Sequence, residues 1–143
     1  MAKVLVVYWS GTGNTEIMAE KIAEGLENAG AEVDLRNVSD VDAGEVAEFE
    51  KIAFGCPSMA DEHLEEDEFE PFFEDCEGDL AGKKVALFGS YGWGNGEWME
   101  DWVERTQEAG AEVMRGEGLI LEYTPDAEGE EKCVEFGEEF AKF

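Results

Sequence analysis

The chain alternates apolar runs with amphipathic stretches, and that alternation constrains its fold more than any single motif. "KVLVVY" (3–8) is continuously apolar after its lysine, as expected of a strand buried on both faces. Over 15–29, Met18, Ile22 and Leu26 fall four apart with Ala19 and Ala23 beside them. That is a helical stripe, and Gly30 stops it. "AEVDLR" (31–36) alternates and reads as an exposed edge strand. "KIAFGC" (51–56), "KKVALFGS" (83–90) and "GLILEY" (118–123) read as the third, fourth and fifth strands. Helices are expected near 44–49, on the later half of "EDEFEPFFEDC", over "GEWMEDWVERTQEAG" and over 126–142. Trp98 and Trp102, four apart, are expected in the core, as are Cys133, Phe136 and Phe140.

Five such units imply an α/β fold: an open five-stranded parallel sheet with helices on both faces. An alternating second strand belongs at an edge, which favours the order 2-1-3-4-5. At 143 residues, one domain over 1–143 is expected. Ligands of such sheets bind beyond the carboxyl ends of the strands, where the order switches between strands one and three. Three loops therefore matter: 9–15, 56–67 and 90–97.

Charge narrows the partners. Thirty-seven acids against ten Lys and Arg give a net −27, a surface that repels nucleic acid and anionic membrane. It suits either docking on basic proteins or adaptation to high salt. No apolar run approaches the roughly 20 residues of a membrane span, and no signal-peptide pattern opens the chain, so a cytoplasmic protein is expected. Cys56, Cys76 and Cys133 are odd in number and widely spaced, and there is a single histidine. Free thiols and no metal site are the expectation.

The first loop, "SGTGNT" (10–15), lies between strand and helix and contains no basic residue. Gly11 and Gly13 let the backbone curl so that its N–H groups point inward, and the helix N-terminus adds its dipole. Ser10, Thr12, Asn14 and Thr15 can donate further hydrogen bonds, so the loop can hold a phosphate without a cation. No lysine follows the glycines as a P-loop requires. Glu16 stands where a dinucleotide fingerprint needs its third glycine.

"VVYWSGTGNTEIMAEKI" resembles the signature of the flavodoxin family, and the resemblance runs along essentially the whole chain, as in short-chain members. It implies the flavodoxin-like three-layer α/β/α sandwich and a bound flavin mononucleotide (FMN), with its 5′-phosphate in the first loop and Trp9 beside it. "GSYGWGNGEW" (89–98) sets Trp93 among glycines, which suits an aromatic stacked on a flat ligand. The resemblance places Trp93 on the outer flavin face, with Ser90, Tyr91, Gly92 and Gly94 along the ring edge. On the inner side it matches Ser58 and Met59, then a turn through Ala60 and Asp61 to Glu62. Glu62 would accept from the flavin N3–H, and the Ala60 carbonyl would face N5. Such a contact stabilises the one-electron-reduced semiquinone, so the resemblance implies a low-potential carrier of single electrons, not an enzyme. The family usually has glycine where Ala60 stands; a Cβ there biases the turn by ~1 kcal/mol and weakens that stabilisation.

Implied partners are redox proteins with basic docking surfaces, met by a monomer. Seven of the ten residues "DEHLEEDEFE" (61–70) are acidic, which reads as a solvated face or as that docking face, with His63 a bystander. An FMN-dependent reductase or maturation factor on the same fold is the alternative, although nothing suggests a nicotinamide pocket. A receiver domain shares the sheet order but lacks the acids it needs at "FGCPS" and "YWSGT".

Overall fold

The structure is a computed structural model that describes residues 3–11, 13–59, 64–92, 94 and 96–143. Three strands with apolar interiors build the centre of the sheet: β1 (Lys3–Tyr8), β3 (Lys51–Gly55) and β4 (Lys84–Tyr91). Their side chains alternate between two apolar layers. Val4, Val6, Tyr8, Ala53, Ala86 and Phe88 pack with helices α1 (Asn14–Asn28) and α5 (Ala127–Lys142). Leu5, Val7, Ile52, Phe54, Val85 and Leu87 pack with α3 (Phe69–Glu77) and α4 (Glu97–Glu108). Burial on both faces explains why these strands read as unbroken apolar runs. β2 (Glu32–Asn37) holds the edge beside β1, where its partly exposed residues belong. A short α2 (Ala43–Val46) carries the chain from β2 to β3, closed at its start by a capping box between Asp42 and Glu45.

The order is 2-1-3-4-5 and every pairing is parallel. The fifth position differs from expectation. It is filled by two strands, β5 (Glu112–Val113) against the start of β4 and β6 (Leu119–Glu122) against its end. Between them the chain leaves the sheet in a single 3₁₀ turn, Met114–Gly116, with Arg115 at φ 67°. Met114 is drawn into the α1/α5 layer, which takes it out of line with the strand. The sheet therefore has six strands at five positions.

Trp98 and Trp102 are core residues, each 2% exposed. Trp102 meets Phe69 and Phe73 edge-on at 5.5 and 5.6 Å, an arrangement aromatic quadrupoles favour. Arg105 ties α4 to α3 by hydrogen bonds to both Glu70 and Glu77, with its guanidinium over the Phe73 ring. The α1 and α5 backbones touch. A Cβ on Gly25 would collide with the Val134 carbonyl, and one on Gly137 with that of Ile22. All three cysteines are free and buried. Burial pushes the Cys76 and Cys133 thiols up to about 12, and that of Cys56 higher still, so none is a thiolate near neutrality.

Candidate functional site

At the carboxyl end of the sheet, β1 runs into the first loop and α1 begins at Gly13, which has φ 93°. The left-handed geometry explains why glycine stands here. Ser10 Oγ accepts from the Gly13 N–H at 3.0 Å, folding the loop on itself. Among the described residues no side chain caps α1. Its first-turn N–H groups and the positive end of its dipole are therefore available to an anion. Trp9 folds back over Gly11; a Cβ on Gly11 would stand 2.9 Å from the indole Cη2. Its Nε1 donates to Glu68 at 3.4 Å.

Tyr8, the last residue of β1, donates its hydroxyl to Glu16 at 2.9 Å. Burial, reinforced by that bond, pushes the phenol up to about 12, so it stays neutral under the loop. Thr15 is 1% exposed and lies hydroxyl to hydroxyl with Ser90 at 2.9 Å, which stitches α1 to the end of β4. Both were expected at the ligand. Here Thr15 points inward to Ser90, whereas Ser90 also borders the cavity. Asn14 Oδ1 accepts from Thr124 Oγ1 at 2.8 Å.

A cavity of about 610 Å³ opens between these loops. Of the expected site residues it gathers Trp9, Gly11, Asn14, Ser58, Met59, Ser90, Tyr91 and Gly92. Ser10 and Gly13 shape the loop next to it, and Gly94 is exposed with φ 94°. Thr12, Ala60, Asp61, Glu62, His63 and Trp93 lie outside the described residues. No lysine or arginine among the described residues lines the cavity. Its size falls in the range of small-molecule pockets, and an uncapped helix end beside walls that include Trp9, Met59, Tyr91 and Tyr123 suits a phosphate joined to an aromatic ring system.

Three contributors were not read from the sequence. Pro57 and Tyr123 join the wall, Tyr123 from the turn after β6. Glu65 is the third. Only 6% exposed, it accepts from the N–H groups of Asp67, Glu68 and Phe69 at 2.8–2.9 Å, closing the start of α3. Burial pushes its carboxyl up, but the three N–H bonds outweigh that and hold it below the ordinary value. Its own N–H reaches Cys56 Sγ at 3.4 Å, tying α3 back to the end of β3. Within the acidic run, Glu65 is therefore a buried anchor and not part of a solvated face.

The family model for flavodoxin matches residues 6–137. The chain belongs to the flavodoxin family. Curated relatives include the flavodoxins of Clostridium beijerinckii, 52% identical over 95% of this chain and 97% of that one, and Megasphaera elsdenii, 48% identical over 97% and 98%. The solution structure of the two-electron-reduced Megasphaera elsdenii flavodoxin superposes with a TM-score of 0.88 over 98% of this chain and 99% of that one. As a flavodoxin the chain is an FMN-binding electron carrier and not an enzyme, and it transfers electrons to redox partners. No helix among the described residues is long and apolar enough to cross a membrane.

Proposed function

We propose that this chain, acting as a single domain over 1–143, holds FMN in the cavity between the three loops. The observation that carries this is the N-terminus of α1, without a side-chain cap, beside a largely apolar cleft with no basic side chain among its described walls. The phosphate is assigned to the loop N–H groups of Gly11, Thr12, Asn14 and Thr15, with the hydroxyls of Ser10 and Thr12 and the Asn14 amide in support, while the Thr15 hydroxyl braces the loop against Ser90. Trp9, Ser58, Met59, Ser90, Tyr91 and Gly92 border the ring system, and Gly94 gives the last loop its turn. The outer face goes to Trp93, the edge carboxylate to Glu62 and the ring-edge carbonyl to the turn through Ala60 and Asp61; these assignments rest on resemblance alone.

FMN supplies one-electron chemistry when bound. The protein's part is to bind it, exclude water from its faces and leave one edge open to a partner. With a net charge of −27, the partners that fit are redox proteins presenting basic surfaces, met by a monomer in the cytoplasm.

Stepwise anaerobic reduction followed by visible spectroscopy tests the reading. The expected result is a yellow protein that passes through a blue one-electron stage before bleaching. Bleaching in a single two-electron step favours the reductase alternative. A protein that stays colourless after FMN is added overturns the assignment of the cavity.

A further inference from the structure

Tyr123 is one of two large apolar side chains left exposed among the described residues, at 62%. It is also one of two non-glycine residues with positive φ among those described, at 58°. Both features are costly: the left-handed region crowds Cβ, and an exposed ring forgoes its burial.

The turn that carries it is nonetheless firmly placed. The Tyr123 N–H donates to the Tyr91 carbonyl at 2.7 Å. Its ring lies against Gly92, with Cε1 3.3 Å from where a Cβ of that glycine would stand. The next residue, Thr124, donates to Asn14 Oδ1. The turn thus spans from the phosphate loop to the loop after β4, and the ring forms one side of the 610 Å³ cavity. Glycine at 123 would make the same turn without steric cost. What tyrosine adds over glycine is a ring at the cavity mouth.

We propose that Tyr123 retains the cofactor, its ring covering the flexible chain that links the phosphate to the flavin ring system. The anchors fix that location: Asn14 marks the phosphate end, and Tyr91 with Gly92 marks the ring end. On binding, the exposed ring is buried against the cofactor, which slows escape. The proposal rests on the assignment of this cavity to FMN.

Two variants, Tyr123→Gly and Tyr123→Phe, test it through FMN affinity, FMN dissociation rate and melting of the cofactor-free protein. Tyr123→Gly relieves the strain, so its cofactor-free form should melt no lower than the parent. It should nonetheless bind FMN roughly tenfold more weakly, through faster dissociation. Tyr123→Phe should keep the parental affinity within about twofold, since the ring remains. Equal affinity in parent and Tyr123→Gly overturns the proposal. So does a cofactor-free Tyr123→Gly that melts lower, because the ring then serves the fold. A Tyr123→Phe loss as large as that of Tyr123→Gly overturns it too, since the hydroxyl alone would be acting. If the parent itself fails to bind FMN, the cavity assignment falls and the proposal with it.

Discussion

The two ends of the sheet each carry a cavity, and they treat charge in opposite ways. At the amino end, about 790 Å³ is lined by Lys3, Lys51, Lys83 and Lys84, four of the ten basic residues of an otherwise acidic chain. At the carboxyl end, the smaller cavity has no basic side chain among its described residues. The difference follows from helix direction. In a parallel α/β sheet every helix runs back against the strands, so negative helix ends gather at the base and positive ends at the top.

At the base the lysines answer those ends. Lys51 Nζ donates to the carbonyls of Phe140 and Ala141, and Lys84 Nζ to Phe143 O. Lys83 reaches the carbonyls of Ala47 and Phe49 beyond α2. Lys51 and Lys84 are register partners on adjacent strands, a like-charge pairing offset by the carbonyls at the end of α5 to which both ammonium groups donate. At the top, α1 has no side-chain cap, so an anion brought from outside can complete it. The larger cavity is thus a place where charge is already balanced, and the smaller one is where a ligand is wanted.

Reversing the base should have the largest effect. The double variant Lys51→Glu, Lys84→Glu sets two carboxylates against the last carbonyls of α5. We expect a loss of about 3 kcal/mol in urea unfolding, with FMN affinity of the folded fraction unchanged within about twofold. A fall in FMN affinity without loss of stability would erase the division between the two ends.

Glu65→Ala should cost less, about 2 kcal/mol, because it removes the carboxylate that closes α3. Since the Glu65 carboxyl titrates below its ordinary value, its contribution is full above that value and fades as pH falls through the depressed one. The stability gap between parent and variant should therefore narrow in acid below pH 4.5. A gap independent of pH would show that the lost contacts are not ionic.

The smallest effect is also the sharpest comparison. A phosphate dianion held by N–H groups in a chain of net −27 is repelled by the remaining field, and salt screens that repulsion. FMN should bind about threefold more tightly as ionic strength rises from low salt to about 0.5 M. Weakening with salt would mean that a cation holds the phosphate after all.

Much of this was legible because it rests on local pattern. Continuous apolar runs gave β1, β3 and β4 their places, and the Gly-rich turn before Asn14 marked the loop proposed to hold the phosphate. What escaped depends on contacts distant in sequence. The split into β5 and β6 comes from Met114 being drawn into the opposite layer, and "MRGEG" alone does not say so. Glu65 looked like one acid among seven, since only the folded chain brings three N–H groups to it. Tyr123 carried no periodicity, and its meaning lies in Gly92 and Asn14, both far upstream. The Ser10–Gly13 bond that folds the first loop and the pairing of Thr15 with Ser90 both required the folded chain.

The glycine contact between α1 and α5 has a consequence for how the molecule is made. Gly25 and Gly137 let two helices from nearly opposite ends of the chain touch backbone to backbone, so one layer of the core closes only when the last helix arrives. On a ribosome adding about 5–20 residues per second, the first loop emerges well before α5, and the helix behind it completes its packing only when α5 follows. Until α5 has emerged, the nascent protein cannot complete the layer behind the cofactor site. Loading with flavin becomes an event that follows the arrival of α5.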